Sequence, residues 1–352
     1  METMTITLPD NWHAHLRQDE MMLLIHHYFD IYGRVLCMGN TNPLIETGNQ
    51  AREYEKQIRL LDGFTPVVCI MLTNKTTPKI IYDAASQGIK FVKFIPVGTS
   101  TGAVRGLRLD DYDNLSPLFS AITDAGMHLL VHAELISDGD MIIPFIHREE
   151  MAFQFIKDYR KMFPGMKITI EHASTDRMIN FVRRSESANL RATLTPHHAA
   201  LDYYSLRMTS EDKPLDLLNH CLPVVKTGVD KRAVIEAMTS GDERFFHGSD
   251  AAAHLWVNKL KKMSPGIFLG DAEIPLLVEI FEREGELPKL ENFTSRFGAE
   301  YYGFPLNEEK LILGEETWEQ PIEKDGIRLC MGGQLFEWQV LERIQLTEFI
   351  RN

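Results

Sequence analysis

Short runs of β-branched and other apolar residues recur along the chain, and longer stretches of mixed polarity separate them. Eight of these runs predict strands, at residues 5–8, 35–38, 66–72, 89–95, 127–131, 168–170, 192–195 and 244–246. Stretches long enough for a helix follow the second, third and sixth runs, at residues 49–61, 77–87 and 175–184. This alternation predicts an α/β fold, a (β/α)8 TIM barrel.

A doubly wound open sheet shows the same alternation and stands as the alternative fold. No glycine-rich linker, low-complexity tract or internal repeat divides the chain, which predicts a single domain over residues 1–352. The pattern changes near residue 300, where an acidic stretch precedes an apolar tail. We therefore expect the barrel to reach to about residue 300 and a C-terminal extension, 301–352, to pack on its exterior.

Composition narrows the possible partners and the compartment. Of 352 residues, 44% are hydrophobic and 25% charged, which is typical of globular proteins. The net charge of −13 argues against binding to nucleic acid or to an anionic membrane surface, so local cations must attract any anionic substrate. Four scattered cysteines without paired spacing, and an N-terminus without a targeting pattern, predict a soluble cytoplasmic protein with reduced thiols.

Polar side chains that commonly bind metals follow several of the apolar runs. His13 and His15 are two residues apart, so on an extended segment they point to the same side and can bind one metal ion. His132 and His172 follow the fifth and sixth runs, and Asp250 follows the eighth. A parallel barrel would bring such positions into one pocket. The alternatives are core histidines and, for Asp250, a helix N-cap.

Lys93 lies within an otherwise apolar run, residues 91–95. A buried, unpaired ammonium is costly, so this side chain needs either a partner or a lowered pKa. A neutral lysine amine can react with carbon dioxide to form a carbamate, whose two oxygens could bridge two divalent cations. The alternative is an ammonium that extends to a carboxylate at the mouth of the barrel.

Taken in order, six short motifs resemble the single-domain bacterial dihydroorotases of the amidohydrolase superfamily. These are residues 11–17 (NWHAHLR), 92–94 (VKF), 130–134 (LVHAE), 171–172 (EH), 221–223 (CLP) and 248–254 (GSDAAAH). The resemblance extends from residue 11 to about residue 305. It implies a TIM barrel of the metal-dependent hydrolase type. The implied activity is that of a zinc-dependent cyclic amide hydrolase, which interconverts N-carbamoyl-L-aspartate and (S)-dihydroorotate in pyrimidine biosynthesis. The resemblance also suggests a homodimer.

The resemblance also implies a role for each metal-binding residue. His13, His15 and Asp250 would hold one Zn²⁺ ion, and His132 and His172 would hold the other. Lys93, as N6-carboxylysine, and a hydroxide would bridge the two ions. Asp250 would serve as the general acid and base.

Further residues are implied in binding the substrate. Arg17, Asn40 and His254 would clamp its carboxylate, backbone groups of Leu222 and Gly270 would contact its ring, and Ser100 and Thr101 would belong to a lid loop. The alternatives are a surface salt bridge for Arg17, a turn residue for Asn40 and a plain flexible connection for the loop. Two other functions also stay open: a hydrolase of neutral cyclic amides, such as dihydropyrimidinase or allantoinase, and a catalytically inactive barrel with a structural role.

Overall fold

The computed structural model describes residues 2–100, 103–206 and 216–344 of the chain. Its strands are β1 (Thr3–Thr7), β2 (Asp10–Ala14), β3 (Arg34–Cys37), β4 (Thr65–Leu72), β5 (Phe91–Phe94), β6 (His128–Val131), β7 (Ser137–Asp138), β8 (Met141–Ile142), β9 (Lys167–Ile170), β10 (Leu190–Leu194), β11 (Phe245–His247), β12 (Lys310–Glu319), β13 (Glu323–Lys324), β14 (Ile327–Arg328) and β15 (Leu335–Ile344). Its α-helices are α1 (Asp19–Ile25), α2 (Gly48–Arg59), α3 (Pro78–Ser86), α4 (Tyr112–Asp124), α5 (Arg148–Met162), α6 (Asp176–Arg183), α7 (Pro196–Ala200), α8 (Gly228–Thr239), α9 (Trp256–Lys262), α10 (Glu273–Arg283) and α11 (Phe297–Tyr302).

Eight parallel strands form a nearly closed barrel, in the order β2-β3-β4-β5-β6-β9-β10-β11. The first and last strands meet beyond the end of β11. There the Asp250 N–H donates to the His13 carbonyl (2.9 Å), and the His15 N–H donates to the Ala251 carbonyl (2.9 Å). We call this junction the seam. The predicted (β/α)8 barrel is confirmed.

The helices between the strands begin at side chains that suit helix N-termini. Thr47, Thr77 and Thr175 precede α2, α3 and α6, and each hydroxyl accepts a hydrogen bond from a backbone N–H in the first helical turn. Gln50 completes a capping box with Thr47. These three helices lie where the sequence pattern predicted them. None of the helices in the described part of the chain combines the length and apolar character needed to cross a bilayer.

The prediction that residues 5–8 form the first strand of the barrel is wrong. β1 instead pairs antiparallel with β12, which also pairs with β15, so these three strands form a separate sheet. The first barrel strand is β2, whose five residues are all buried although three of them are polar. Asp10 forms an ion pair with Arg34 (2.7 Å), and such pairing lets polar residues occupy a buried strand.

The core of the described residues includes three apolar clusters. The largest lies between the strands and the helices, a smaller one fills the barrel interior, and the third consists of only three residues. In the smaller cluster, α11 contributes Tyr302, whose ring lies 4.9 Å from that of Trp12 and whose hydroxyl lies 2.8 Å from Thr169 Oγ1. This helix therefore fills the amino-terminal end of the barrel with packed side chains, which leaves the carboxyl-terminal end for polar groups.

Gly298 allows α11 to approach the barrel floor. A Cβ atom at this position would overlap Trp12 Nε1, which belongs to a side chain that is itself buried. We expect Gly298→Ala to lower the free energy of unfolding by about 1–3 kcal/mol, because the packed interior cannot accept the added methyl group. Urea unfolding should show the change. Gly228→Ala is the control, since no described atom lies within 4 Å of its new Cβ. Equal midpoints for the two variants would contradict this packing.

Candidate metal centre and substrate cavity

The predicted metal-binding residues lie at the carboxyl-terminal ends of barrel strands. His13 and Lys93 lie within β2 and β5, while His132, His172 and Asp250 follow β6, β9 and β11. All five side chains are buried. His172 and Asp250 also have positive φ angles, 41° and 49°, which non-glycine residues seldom adopt outside functional sites.

The nitrogen and oxygen atoms of these side chains converge in two neighbouring groups. Asp250 Oδ1 lies 3.2 Å from His13 Nε2 and 3.0 Å from His15 Nε2. His132 Nδ1 lies 3.2 Å from His172 Nε2. The donor atoms of His13, His172 and Asp250 all lie within 4.8 Å of one another. Imidazole nitrogens and a carboxylate oxygen are the ligands that zinc prefers, so this donor set fits a divalent metal centre.

Two glutamates, which sequence reasoning missed, orient the histidine rings. Glu171 accepts a hydrogen bond from His13 Nδ1, and Glu134 Oε2 lies 2.8 Å from His132 Nε2. Each bond turns the other ring nitrogen toward the centre, as is usual for histidines that bind metals. The available signal was position, since Glu171 directly precedes one strand-end histidine and Glu134 follows another by two residues.

Lys93 is the least satisfied polar group of the centre. Among the described residues its buried Nζ has no hydrogen-bond partner. Burial lowers the pKa of this ammonium, although the carboxylates of Glu171 and Asp250 act in the opposite direction. The neutral amine is thereby favoured, which is the form that can react with carbon dioxide. A buried amine without a hydrogen-bond partner, beside a cluster of histidines and carboxylates, is chemically suited to form a carbamate that bridges metal ions.

The protonation states of Asp250 and His172 also suit metal binding. Burial alone would raise the pKa of Asp250, but the neighbouring imidazoles of His13 and His15 hold it well below its usual value, so the carboxylate is ionised. Burial, together with the charge of neighbouring His132, holds the pKa of His172 well below its usual value. A neutral imidazole and an ionised carboxylate are the forms that bind metal ions.

Two adjoining cavities open beside the centre and share Arg17 and Asn40. The inner one is small, about 20 Å³, and its lining residues include His15, Asp250, Ser100 and Leu222. The outer one, about 720 Å³, is open to solvent and includes His254 in its wall. The structure thus places Arg17, Asn40, Ser100, Leu222 and His254 together at the mouth of the barrel.

Arg17 supplies a half-buried positive charge to this mouth. Its Nη2 lies 3.0 Å from His254 Nε2, and its Nε donates to the Ala253 carbonyl (3.3 Å). Burial lowers the pKa of Arg17 to about 10, which still leaves the guanidinium charged at neutral pH. Burial and the charge of Arg17 lower the pKa of His254 to about 3, so this imidazole is neutral.

Thr101 and Gly270 are the remaining predicted substrate contacts. Thr101 lies outside the described residues. Gly270 begins a 3-10 turn, where an added Cβ would lie 3.2 Å from the side chains of Tyr28 and Leu329, and it is not among the described residues that line either cavity. Pro265 and Gly266 line the inner cavity instead.

A second buried group could in principle hold a metal. His197, His198 and Cys221 have donor atoms within 4.8 Å of one another. However, both ring nitrogens of His198 are engaged, one with Thr195 Oγ1 (2.7 Å) and one with the Pro223 carbonyl (3.0 Å). Burial also raises the pKa of the Cys221 thiol, which disfavours the thiolate that metals require. We therefore assign this group a structural role.

Comparison with known proteins identifies the family. No protein-family model matches the chain. A dihydroorotase of Marinobacter nauticus is 32% identical over 349 residues, which cover 96% of this chain and 98% of that protein. The chain belongs to the dihydroorotase family. The resemblance seen in the sequence motifs is thus confirmed.

Solved structures of dihydroorotases share the whole fold. A Saccharomyces cerevisiae dihydroorotase, crystallised in complex with 5-fluoroorotic acid, superposes with a TM-score of 0.89 at 28% identity, covering 97% of this chain and 99% of that one. A Campylobacter jejuni dihydroorotase superposes with a TM-score of 0.85 at 26% identity, covering 97% and 98%. The likeness therefore includes the separate sheet of β1, β12 and β15 as well as the barrel.

Glu171 offers a test of how the centre is organised. We expect Glu171→Gln to weaken zinc binding about 10- to 100-fold, because a neutral amide holds and polarises the His13 ring less effectively. Zinc titration of metal-free protein against a chelating dye would measure this. Glu291→Gln is the control, because Glu291 accepts a hydrogen bond from the Thr7 N–H (2.8 Å), away from the centre. Unchanged zinc affinity in Glu171→Gln would show that this glutamate does not help to organise the centre.

Proposed function

We propose that this protein is a zinc-dependent dihydroorotase, which interconverts N-carbamoyl-L-aspartate and (S)-dihydroorotate in pyrimidine biosynthesis. The observation that carries the proposal is the convergence of His13, His15, His132, His172, Lys93 and Asp250 beside a cavity that contains Arg17. A homodimer and a cytoplasmic location stay predictions from the sequence.

Two zinc ions account for the chemistry of the donor set. His13, His15 and Asp250 would hold one ion, His132 and His172 the other, and carboxylated Lys93 would bridge them. When bound, such ions lower the pKa of a water molecule toward about 7 and polarise a carbonyl group. Glu134 and Glu171 would hold two of the histidine rings in their binding orientation.

Carboxylation of Lys93 follows from its surroundings. The neutral Nζ would attack the carbon of carbon dioxide: a C–N bond forms, one C–O π bond breaks with its electron pair moving to oxygen, and the nitrogen releases one proton to water. Burial favours this step because it lowers the pKa of the ammonium. The resulting carbamate would share its charge with the cations held by the histidines.

Asp250 is the proposed proton carrier. Its ionised carboxylate faces the inner cavity and lies 3.0 Å from His15 Nε2. During hydrolysis it would accept the proton of the attacking water and deliver it to the ring nitrogen as the C–N bond breaks. In the reverse reaction it would take that proton from the carbamoyl nitrogen while the ring closes.

Arg17, Asn40 and His254 are the proposed carboxylate clamp. Arg17 is charged and half-buried in a chain whose net charge is −13, so it attracts an anion locally against the overall charge. Its planar guanidinium can donate two hydrogen bonds to one carboxylate. Ser100 and Leu222 line the same inner cavity and would contact the substrate ring or the closing loop. Neutral cyclic amides lack the group that this clamp binds.

A substrate comparison tests the function. Zinc-reconstituted protein should interconvert dihydroorotate and carbamoyl aspartate, and it should leave dihydrouracil and hydantoin unchanged because these rings lack a carboxylate. Metal analysis after dialysis should find about two zinc ions per chain. Turnover of the neutral rings would indicate a different cyclic amidase, and absence of all turnover in zinc-loaded protein would indicate an inactive barrel.

Lys93→Ala tests the bridging carbamate. We expect this variant to lose activity and to retain less than the full complement of zinc, because no other described side chain at the centre offers a comparable bridge. Lys259→Met is the control: Lys259 is also buried, but it donates to the carbonyls of Leu217 (2.6 Å) and Leu218 (3.2 Å). That variant should lose stability and keep its zinc. Turnover near the wild-type rate in Lys93→Ala would rule out the carbamate.

A further inference from the structure

The seam of the barrel is joined by side chains as well as by backbone groups. Asn11 lies in β2, two residues before His13. Its Oδ1 accepts hydrogen bonds from the N–H groups of His13 (3.2 Å) and Ser249 (3.0 Å). Its Nδ2 donates to Ser249 Oγ (2.7 Å). One buried amide therefore fixes the backbone on both sides of the seam.

Ser249 extends this connection to the neighbouring residues. Its hydroxyl donates to the His13 carbonyl (3.2 Å) and accepts from the Ala251 N–H (3.0 Å). The Asp250 N–H donates to the same His13 carbonyl (2.9 Å). The main chain at His13 and at Asp250 is thus fixed by a single amide and a single hydroxyl.

Glu273, the first residue of α10, supports this arrangement from outside the barrel. Its Oε1 lies 3.4 Å from Asn11 Nδ2 and also accepts hydrogen bonds from the Tyr32 hydroxyl and from His247 Nε2 (3.1 Å). All four side chains are buried. Position 11 must therefore present a donor toward a buried carboxylate. A second carboxylate at this position would bring two like charges together without water.

We propose that Asn11 and Glu273 form a matched amide–carboxylate pair that positions His13 and Asp250 for metal binding. The inference rests on the proposed function, in which both His13 and Asp250 are zinc ligands. Asn11 and Glu273 are positioning residues, since neither side chain lines the cavities described above. Their influence passes through the backbone of the seam, so a like charge placed beside Glu273 should disturb it, and removal of that charge should restore part of it.

A double-mutant cycle tests the pair. Asn11→Asp should weaken zinc binding about 10- to 100-fold, the range typical of residues that orient metal ligands. At saturating zinc it should lower kcat and leave KM nearly unchanged, because the carboxylate clamp is not altered. Adding Glu273→Gln should restore part of the affinity. In the double variant the amide at position 273 no longer places a like charge beside the new carboxylate, and its oxygen can still accept from Tyr32 and His247, while the hydrogen bond from position 11 to Ser249 Oγ stays lost.

Gln320→Glu is the matched control. Gln320 is also a fully buried amide, and it donates to the Leu269 carbonyl, which takes no part in the seam hydrogen bonds described above. We expect this variant to lose stability and to keep the zinc affinity of the wild type. An equal loss of zinc affinity in Gln320→Glu would show that any buried carboxylate has this effect and would overturn the proposal.

Two further outcomes distinguish failure of this proposal from failure of the proposed function. If wild-type protein binds zinc and Asn11→Asp binds it equally well, or if the double variant recovers nothing, the pair does not position the ligands. If wild-type protein binds no zinc, the proposed function itself fails. Should Asn11→Asp not fold, Ser249→Ala removes the seam hydroxyl without adding charge. Wild-type zinc affinity in that variant would also overturn the proposal.

Discussion

Closure of the parallel barrel determines where the polar groups of this protein lie. Every barrel strand ends at the same rim, and the hydrogen bond from the Asp250 N–H to the His13 carbonyl (2.9 Å) brings the last strand end beside the first. Residues from opposite ends of the sequence thereby share one small volume. At the other rim, Tyr302 and Trp12 exclude water by packing. The polar chemistry is confined to the carboxyl-terminal rim because only that end is open.

Burial at this rim imposes strict electrostatic requirements. His13, His132 and His172 lie out of contact with water, so each charge or lone pair needs a partner from the protein or a bound cation. Glu134 and Glu171 satisfy one nitrogen of two of these rings and leave the other directed toward the centre. The same desolvation lowers the pKa of Lys93. Exclusion of water thus has two effects. It requires partners that orient the histidine rings, and it favours the neutral amine of Lys93.

Much of the fold and of the metal centre could be predicted from the sequence, because a histidine or aspartate at the end of an apolar run is a local signal. The threonine-capped helices α2, α3 and α6 were local signals as well. The first barrel strand could not be found this way, because β2 is buried and yet rich in polar residues. Its polar side chains form hydrogen bonds with residues that are distant in sequence. Asn11, for example, bonds to Ser249 and Glu273, and no spacing within the chain indicates these partners. That Gly266 lines the inner cavity is likewise a result of how its loop packs, which no motif indicates.

The separate sheet of β1, β12 and β15 has a consequence for synthesis. Thr3 in β1 pairs with Gly314 in β12, so the partner of the first strand is made about 300 residues later. At about 5–20 residues per second, the ribosome delivers that partner roughly 15–60 s after the first strand emerges. His13, in the adjoining strand β2, likewise waits for Asp250, which follows it by about 240 residues. The candidate metal-binding residues can therefore come together only after Asp250 has been made.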